Sequence, residues 1–390
     1  MILTEKEKLF LDEKYGLNRD AFYNPLLDRT MQILRNKRRF LEPENSYSTF
    51  IVGDLLQIWI QTPACRFSRK GSCTICNYWM GRKIPDLMEQ VFRSVRVLPQ
   101  IRRILINTCG SCLDPAELSE DEQNRLLDWL NHQSAPIVIL ETHIHTLTEE
   151  TVRRVCEKLS GKEIFFEVGQ ESVEEDVLYY CYNKPSVNCD RSLIVKRIHD
   201  HGAKCIANII LGAPFLLREE QIRDAFEGII TLLNDDIDYI TLFPINVKPN
   251  TLPEFLYKKG MYQVVDGNML VDVLYQLPDE FLDRVDVAWF GEHEEEGTVQ
   301  PYVPAEHRQS FIEEIKRYNH SNENAERRKI LDVLFQNRER WGNRAAEEGE
   351  VFIGLVGRLD KAYNLLYRQL VLPEMSDATE ASRGAQDGNT

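Results

Sequence analysis

The sequence predicts an α/β fold built on a parallel sheet. Apolar, β-branched runs recur along the middle of the chain, and segments with helical periodicity fill the intervals between them. The runs are nearly continuous in apolar character, as in strands covered on both faces. Six strands are expected: LLQIWIQT (55–62), RRILIN (102–107), PIVILET (136–142), EIFFEVG (163–169), AKCIANIIL (203–211) and DYITLFP (238–244). Between them LMEQVFRSVRVL, DEQNRLLDWLNHQ, EETVRRVCEKL, DRSLIVKRIHDHG and REEQIRDAFEGIITLLN carry the 3.6-residue spacing of helices. Strand and helix alternate, so βαβ units follow, in either an open doubly wound sheet or a barrel, whole or partial. In both, reactive groups are expected just beyond the carboxyl ends of the strands.

Around this α/β unit (51–250), residues 1–50 read as a helical lead-in and 251–372 as an α-rich portion covering the substrate side, with a charged helix near ENAERRKILDVLFQNRERW. The small, polar composition of 373–390 is that of a disordered tail. A chain of 390 residues, 43% hydrophobic, can bury a large core. No run approaches the roughly 20 apolar residues of a membrane span, and MILTEKEKLFLDEKYG is charged where a secretory leader is apolar, so a cytoplasmic protein with no membrane partner is expected. Lys and Arg number 47 against 62 Asp and Glu; the net charge of −15 repels polyanions and argues against a nucleic-acid partner. Nine cysteines without an export signal point to thiols and metal ligation in a reducing compartment, not to disulfides.

Directly after the first strand, Cys65, Cys73 and Cys76 form a C-x7-C-x2-C loop, PACRFSRKGSCTICNYW. Three thiolates can converge on one metal centre, and no fourth cysteine follows at a spacing that would close it, which leaves an open coordination position of the catalytic kind. A Cys3His zinc site is the alternative, although no histidine lies between Gln61 and His132.

The loop resembles that of radical S-adenosylmethionine (SAM) enzymes with a lengthened cluster motif, and is most similar to the archaeosine-synthase radical SAM subunit and its uncharacterised bacterial relatives. The resemblance continues in the same order through GSCLDPAELSEDE (110–122), ETHIHTLTEE (141–150), EVGQES (167–172), YNKPS (182–186) and LFPINVKPNTLPEFLYKKGMY (242–262). It implies a partial (β/α)6 radical SAM barrel with an α-rich C-terminal extension. It also implies a [4Fe-4S] cluster on Cys65, Cys73 and Cys76, SAM chelated at the fourth iron, and an electron donor such as flavodoxin or ferredoxin. Reductive cleavage of SAM would then modify a substrate. By the same resemblance Phe67 and Tyr78 would pack on the cluster or adenine, Gly110 and Ser111 would meet the amino-acid end of SAM, and Glu141, Glu171 and Asn208 would bind its amine, ribose or carboxylate. Asn183 and Lys184 match a family dipeptide with no assigned duty. Plain packing, turn and loop roles are the competing reading for each.

Two departures bear on substrate. Cys112 stands where the family carries Phe, and with Cys109 it makes a second C-x2-C able to bind a soft metalloid, act as a redox pair or donate hydrogen; burial behind the loop is the plain alternative. His143 and His145 share one side by spacing and are candidates for substrate contact. Cys156, Cys181, Cys189 and Cys205 read as packing. After Tyr262 the archaeosine enzyme's tryptophan- and proline-rich sequence is replaced by QVVDGNML, and with the acidic charge this favours a small-molecule substrate of specialised metabolism. Competing readings are 3-amino-3-carboxypropyl transfer to a thiol-bound acceptor such as arsenite, a tRNA-modifying lyase, and a non-catalytic iron–sulfur protein.

Overall fold

A computed structural model describes residues 3–19, 23–36, 46–69, 72–78, 81–184, 190–288, 297–342 and 354–373. Trp79, Pro185, Ser186, Cys189 and residues 374–390 of the expected tail lie outside these. The chain opens with α1 (Glu5–Tyr15), begun by a reciprocal Thr4–Glu7 capping box, and α2 (Pro25–Asn36), where Asn24 Oδ1 accepts from the Leu26 and Leu27 amides. The lead-in is not wholly helical, because β1 (Tyr47–Val52) follows and pairs antiparallel with β2 (Leu55–Ile60). The two-residue turn between them needs Gly53 at a φ of 59°.

After the short α3 (Arg66–Arg69) and α4 (Leu87–Ser94), strands and helices alternate as expected: β3 (Arg103–Asn107), α5 (Glu120–Asn131), β4 (Ile137–Thr142), α6 (Glu149–Lys158), β5 (Glu163–Glu171), α7 (Glu175–Val177), α8 (Arg191–Asp200), β6 (Lys204–Leu211), α9 (Arg218–Asn234) and β7 (Tyr239–Pro244). A π-helical turn, Leu178–Tyr182, extends α7. Helices α10 (Leu252–Lys258) and α11 (Gly267–Tyr275) lead to an eighth strand, β8 (Val285–Val287), then to α12 (Ala305–His320), α13 (Asn324–Gln336) and α14 (Leu355–Leu366). The six anticipated strands are β2 to β7; β8 extends the sheet from within the portion read as α-rich. Its three residues are too few for a periodic signal. Buried Arg327 on α13 anchors it by donating to the Leu282 and Val285 carbonyls and to Asp286.

The sheet order is β1-β2-β3-β4-β5-β6-β7-β8, parallel from β2 onward, and it curls into a partial barrel with β1 and β8 at its open edges. Its convex face is apolar, with Ile104, Ile106, Val138, Leu140, Phe166, Val168, Ala207, Ile209, Ile240 and Leu242 in the core. The concave face departs from the expectation of strands apolar on both sides. Towards the carboxyl ends, Trp59, Asn107, Glu141, Glu167, Asn208 and Thr241 occupy it, held in phase by the parallel register. No helix among the described residues is long and apolar enough to cross a membrane.

Candidate functional site

The cysteine loop leaves β2 at its carboxyl end, where the topology expects chemistry. Buried Cys65 begins α3, its carbonyl accepting from the Arg69 amide. Cys73 has a φ of 59°, and the Cys76 amide donates to its carbonyl, turning the C-x2-C pair tightly. The loop is fastened to the end of the π-helical turn that extends α7: the Cys73 amide donates to the Asn183 carbonyl, and the Thr74 amide and hydroxyl to the Tyr182 and Cys181 carbonyls. Asn183 thereby has a duty, and its Oδ1 also accepts from the Asn24 amide. Arg35 of α2, 4% exposed, reaches into the loop and donates to the Ser68 carbonyl, to the Ser72 carbonyl at 2.9 Å, and at 3.4 Å to those of Cys73 and Cys76.

Burial pushes Cys65 up to about 12 and raises Cys73 well above the ordinary thiol range, with the neighbouring thiolates adding to both. Yet the three thiols of the loop do not form a group with ligand atoms within 4.8 Å of one another; among the described residues Cys65, Glu117 and His143 do. A single zinc ion, with sulfur at about 2.3 Å, requires close packing of its ligands, whereas a cluster takes one thiolate on each of three irons. The donor set therefore fits a [4Fe-4S] cluster better than Cys3His zinc. Glu117 serves as a brace: it accepts from the Thr62 and Thr108 hydroxyls and the Ser111 amide, and burial lifts it to about 7.

Gly110 lies against Cys65, where a Cβ would stand 2.6 Å from the Cys65 Cβ and 2.6 Å from Glu117 Oε1. Ser111 Oγ meets Thr142 Oγ1 at 2.6 Å and accepts from the His143 amide. His143 Nε2 is 3.3 Å from Cys65 Sγ and its ring stacks with that of His145, while Phe67 packs edge-on against both. Burial first, then nearby cations, hold both imidazoles neutral. Tyr78 stands 39% exposed at the rim, its hydroxyl accepting from Lys248 Nζ at 3.1 Å, with Trp59 beside it.

Glu141 and Glu171 do not share one role. Glu141 accepts from Asn107 Nδ2 at 2.5 Å on the concave face, whereas Glu171, at a φ of 61° beside a register shift in β5, is ion-paired with Lys184. Lys184 also donates to the Gly169 carbonyl at 2.6 Å, which accounts for the Asn183–Lys184 dipeptide. Asn208 is hydrogen-bonded to Glu167, which lies within β5. Cys109 and Cys112 are 4% and 1% exposed, and burial pushes the Cys109 thiol up to about 12 and Cys112 well up; Cys112 belongs to the hydrophobic core. Cys181 and Cys205 are buried as packing residues, and Cys156 is half-buried on α6. A cavity of about 530 Å³ bounded by Arg218, Asp272, Tyr275, Phe335 and Arg338 lies among α9, α11 and α13, and none of the anticipated site residues lines it.

No protein-family model matches the chain. It is 26% identical over 232 residues to archaeosine synthase subunit beta of Methanosarcina acetivorans, covering 57% of this chain and 66% of that one. It is 24% identical over 224 residues to the subunit of the same name from Thermococcus kodakarensis, covering 54% and 68%. The matches thus span about two thirds of these relatives' length. Among solved structures, the radical S-adenosylmethionine methyltransferase TsrM of Kitasatospora setae aligns at a TM-score of 0.41 and 10% identity, over 73% of this chain and 60% of that one.

Proposed function

We propose, with membership of the radical SAM superfamily as the premise, that the chain is an enzyme that holds a [4Fe-4S] cluster on Cys65, Cys73 and Cys76 and modifies a small molecule bound on the concave face of its sheet. The observation that supports this reading is a C-x7-C-x2-C loop of three thiols at the carboxyl mouth of a parallel partial barrel. When bound, the cluster would supply one electron, passed from a donor such as flavodoxin or ferredoxin, to cleave a C–S bond of SAM. The chain's own residues do the rest. Arg35 holds the loop carbonyls, Gly110 leaves room beside Cys65, Phe67 with the His143–His145 pair excludes water, and Ser111 and Asn107 orient the groups around them. Lys184 fixes Glu171 at the turn that carries the loop.

Aminocarboxypropyl transfer to arsenite on Cys109 and Cys112 has less support, since Cys112 is 1% exposed and packs within the hydrophobic core. The relatives' names support a second reading, in which the chain works as one subunit beside a partner protein. Anaerobic reconstitution with iron and sulfide, followed by dithionite and SAM and separation of the products, tests the proposal. 5′-Deoxyadenosine is expected; no cleavage product from a chain with an intact cluster would overturn it. Tight, salt-dependent tRNA binding would move the substrate from small molecule to nucleic acid.

A further inference from the structure

The concave face holds a group of polar side chains whose hydrogen-bonding capacity is unspent. The register sets Trp59 beside Asn107 and Glu141 beside Glu167 on adjoining strands. Asn107 spends its amide nitrogen on Glu141, and Asn208 is hydrogen-bonded to Glu167. Their remaining amide oxygens, Asn107 Oδ1 and Asn208 Oδ1, are buried without a hydrogen-bond partner, and so is Gln57 Oε1 two residues before Trp59. Asn107 and Asn208 are only 9% and 7% exposed, so these orphaned oxygens are costly where they stand.

The carboxylates complete the pattern. Glu167 is 6% exposed and Glu141 part-buried, and among the described residues neither takes part in a salt bridge. Lys184 is engaged by Glu171, and Lys248 donates to the Tyr78 hydroxyl. Burial and the facing Glu141 raise Glu167 to about 8, and burial raises Glu141 as well, so each carboxyl gains from a donor or a cation placed between them. Acceptors therefore outnumber donors on this face: Trp59 Nε1 is one unspent donor against three unspent amide oxygens and the two carboxyls, and Lys184 and Lys248 act on Glu141 only through space while bonded to other groups. A protonated amine offers three N–H donors, one positive charge and no acceptor.

We infer that Glu141, Glu167, Asn107 and Asn208 form a substrate subsite that seats a protonated amine. The inference rests on the function proposed above for the meaning of "substrate", but the site itself is a property of the folded chain. Trp59 Nε1, buried on the same face without a partner, supplies one donor for an oxygen elsewhere on the same molecule.

The test uses n-pentylammonium chloride and its neutral counterpart pentan-1-ol as probes, titrated calorimetrically near neutral pH into the full chain, both as isolated and after anaerobic reconstitution. The ammonium is expected to bind at least about tenfold more tightly than the alcohol, the scale of one charge-assisted hydrogen bond. The preference should vanish in Glu141→Gln/Glu167→Gln and shrink in Asn107→Ala, which keeps both carboxylates and carries the test if the double variant does not fold. Equal affinities, no binding of either probe, or a preference that survives in the folded variants would overturn the inference. Competition by saturating S-adenosylhomocysteine would also overturn it, assigning the carboxylates to the cofactor. Ammonium preference in a chain that neither loads a cluster nor cleaves SAM would sink the proposed function and leave the subsite standing.

Discussion

Replacing Arg35 by methionine isolates the part of the cysteine loop that lies far from it in sequence. The guanidinium donates to the Ser68 and Ser72 carbonyls, with longer contacts to Cys73 and Cys76 that weigh less. A buried acceptor deprived of its donor costs about 1–3 kcal/mol, so the two strong contacts together are worth about 2–6 kcal/mol. Methionine keeps the packing of the stem and removes a charge that was itself expensive to bury, which places the expected loss near the lower end, about 3 kcal/mol. The effect concentrates on the segment between Ser68 and Cys76, so iron binding should suffer beyond global stability. Urea unfolding of the apoprotein gives the first quantity, and iron and sulfide content after anaerobic reconstitution gives the second. An Arg35→Met chain that unfolds within about 0.5 kcal/mol of the parent and loads iron fully would refute the reasoning.

Gly110→Ala should lose roughly half or more of its bound iron, because the added methyl would stand 2.6 Å from the Cys65 Cβ and the backbone must shift to admit it; an unchanged iron content would contradict that. Glu167, lifted from 4.5 to about 8, binds its proton more tightly folded than unfolded, so its contribution to stability is full below 4.5 and is lost as pH rises through about 8. Glu167→Gln should flatten that decline; urea unfolding at several pH values would expose a parallel, uncorrected decline if the idea is wrong. Cys112→Ala should cost about 1 kcal/mol through lost core packing and leave SAM cleavage intact. Loss of cleavage with a full cluster in that variant would return Cys112 to the chemistry.

Six parallel strands and the cysteine loop were legible because each has a compact signal: a run of β-branched residues, or three thiols at fixed spacing. Strand β1 was hidden in a short β-branched stretch, YSTFIV, at the edge of the helical lead-in, and β8 is too short to have a period. The roles of Arg35, Glu117 and Lys184 are tertiary. An arginine on an amphipathic helix gives no sign that it will meet carbonyls more than thirty residues away. Glu117 did lie within the GSCLDPAEL segment, where two carboxylates, Asp114 and Glu117, three residues apart beside small residues were the available clue. Glu167 was masked by its strand, because one acid among IFFEVG reads as an exposed face until the register places it opposite Glu141.

Asn24 links three distant parts of the chain. Its backbone amide donates to Asn183 Oδ1 beside the cysteine loop, and its side chain donates to the hydroxyl of Tyr363 on α14, which in turn donates to the Tyr180 carbonyl. The support behind the cysteine loop is consequently tied to a helix that leaves the ribosome some three hundred residues after the first cysteine. While the chain is being made, Cys65, Cys73 and Cys76 emerge well before Tyr363 exists, so the contacts behind Asn183, whose carbonyl holds the Cys73 amide, are completed only after synthesis has passed α14.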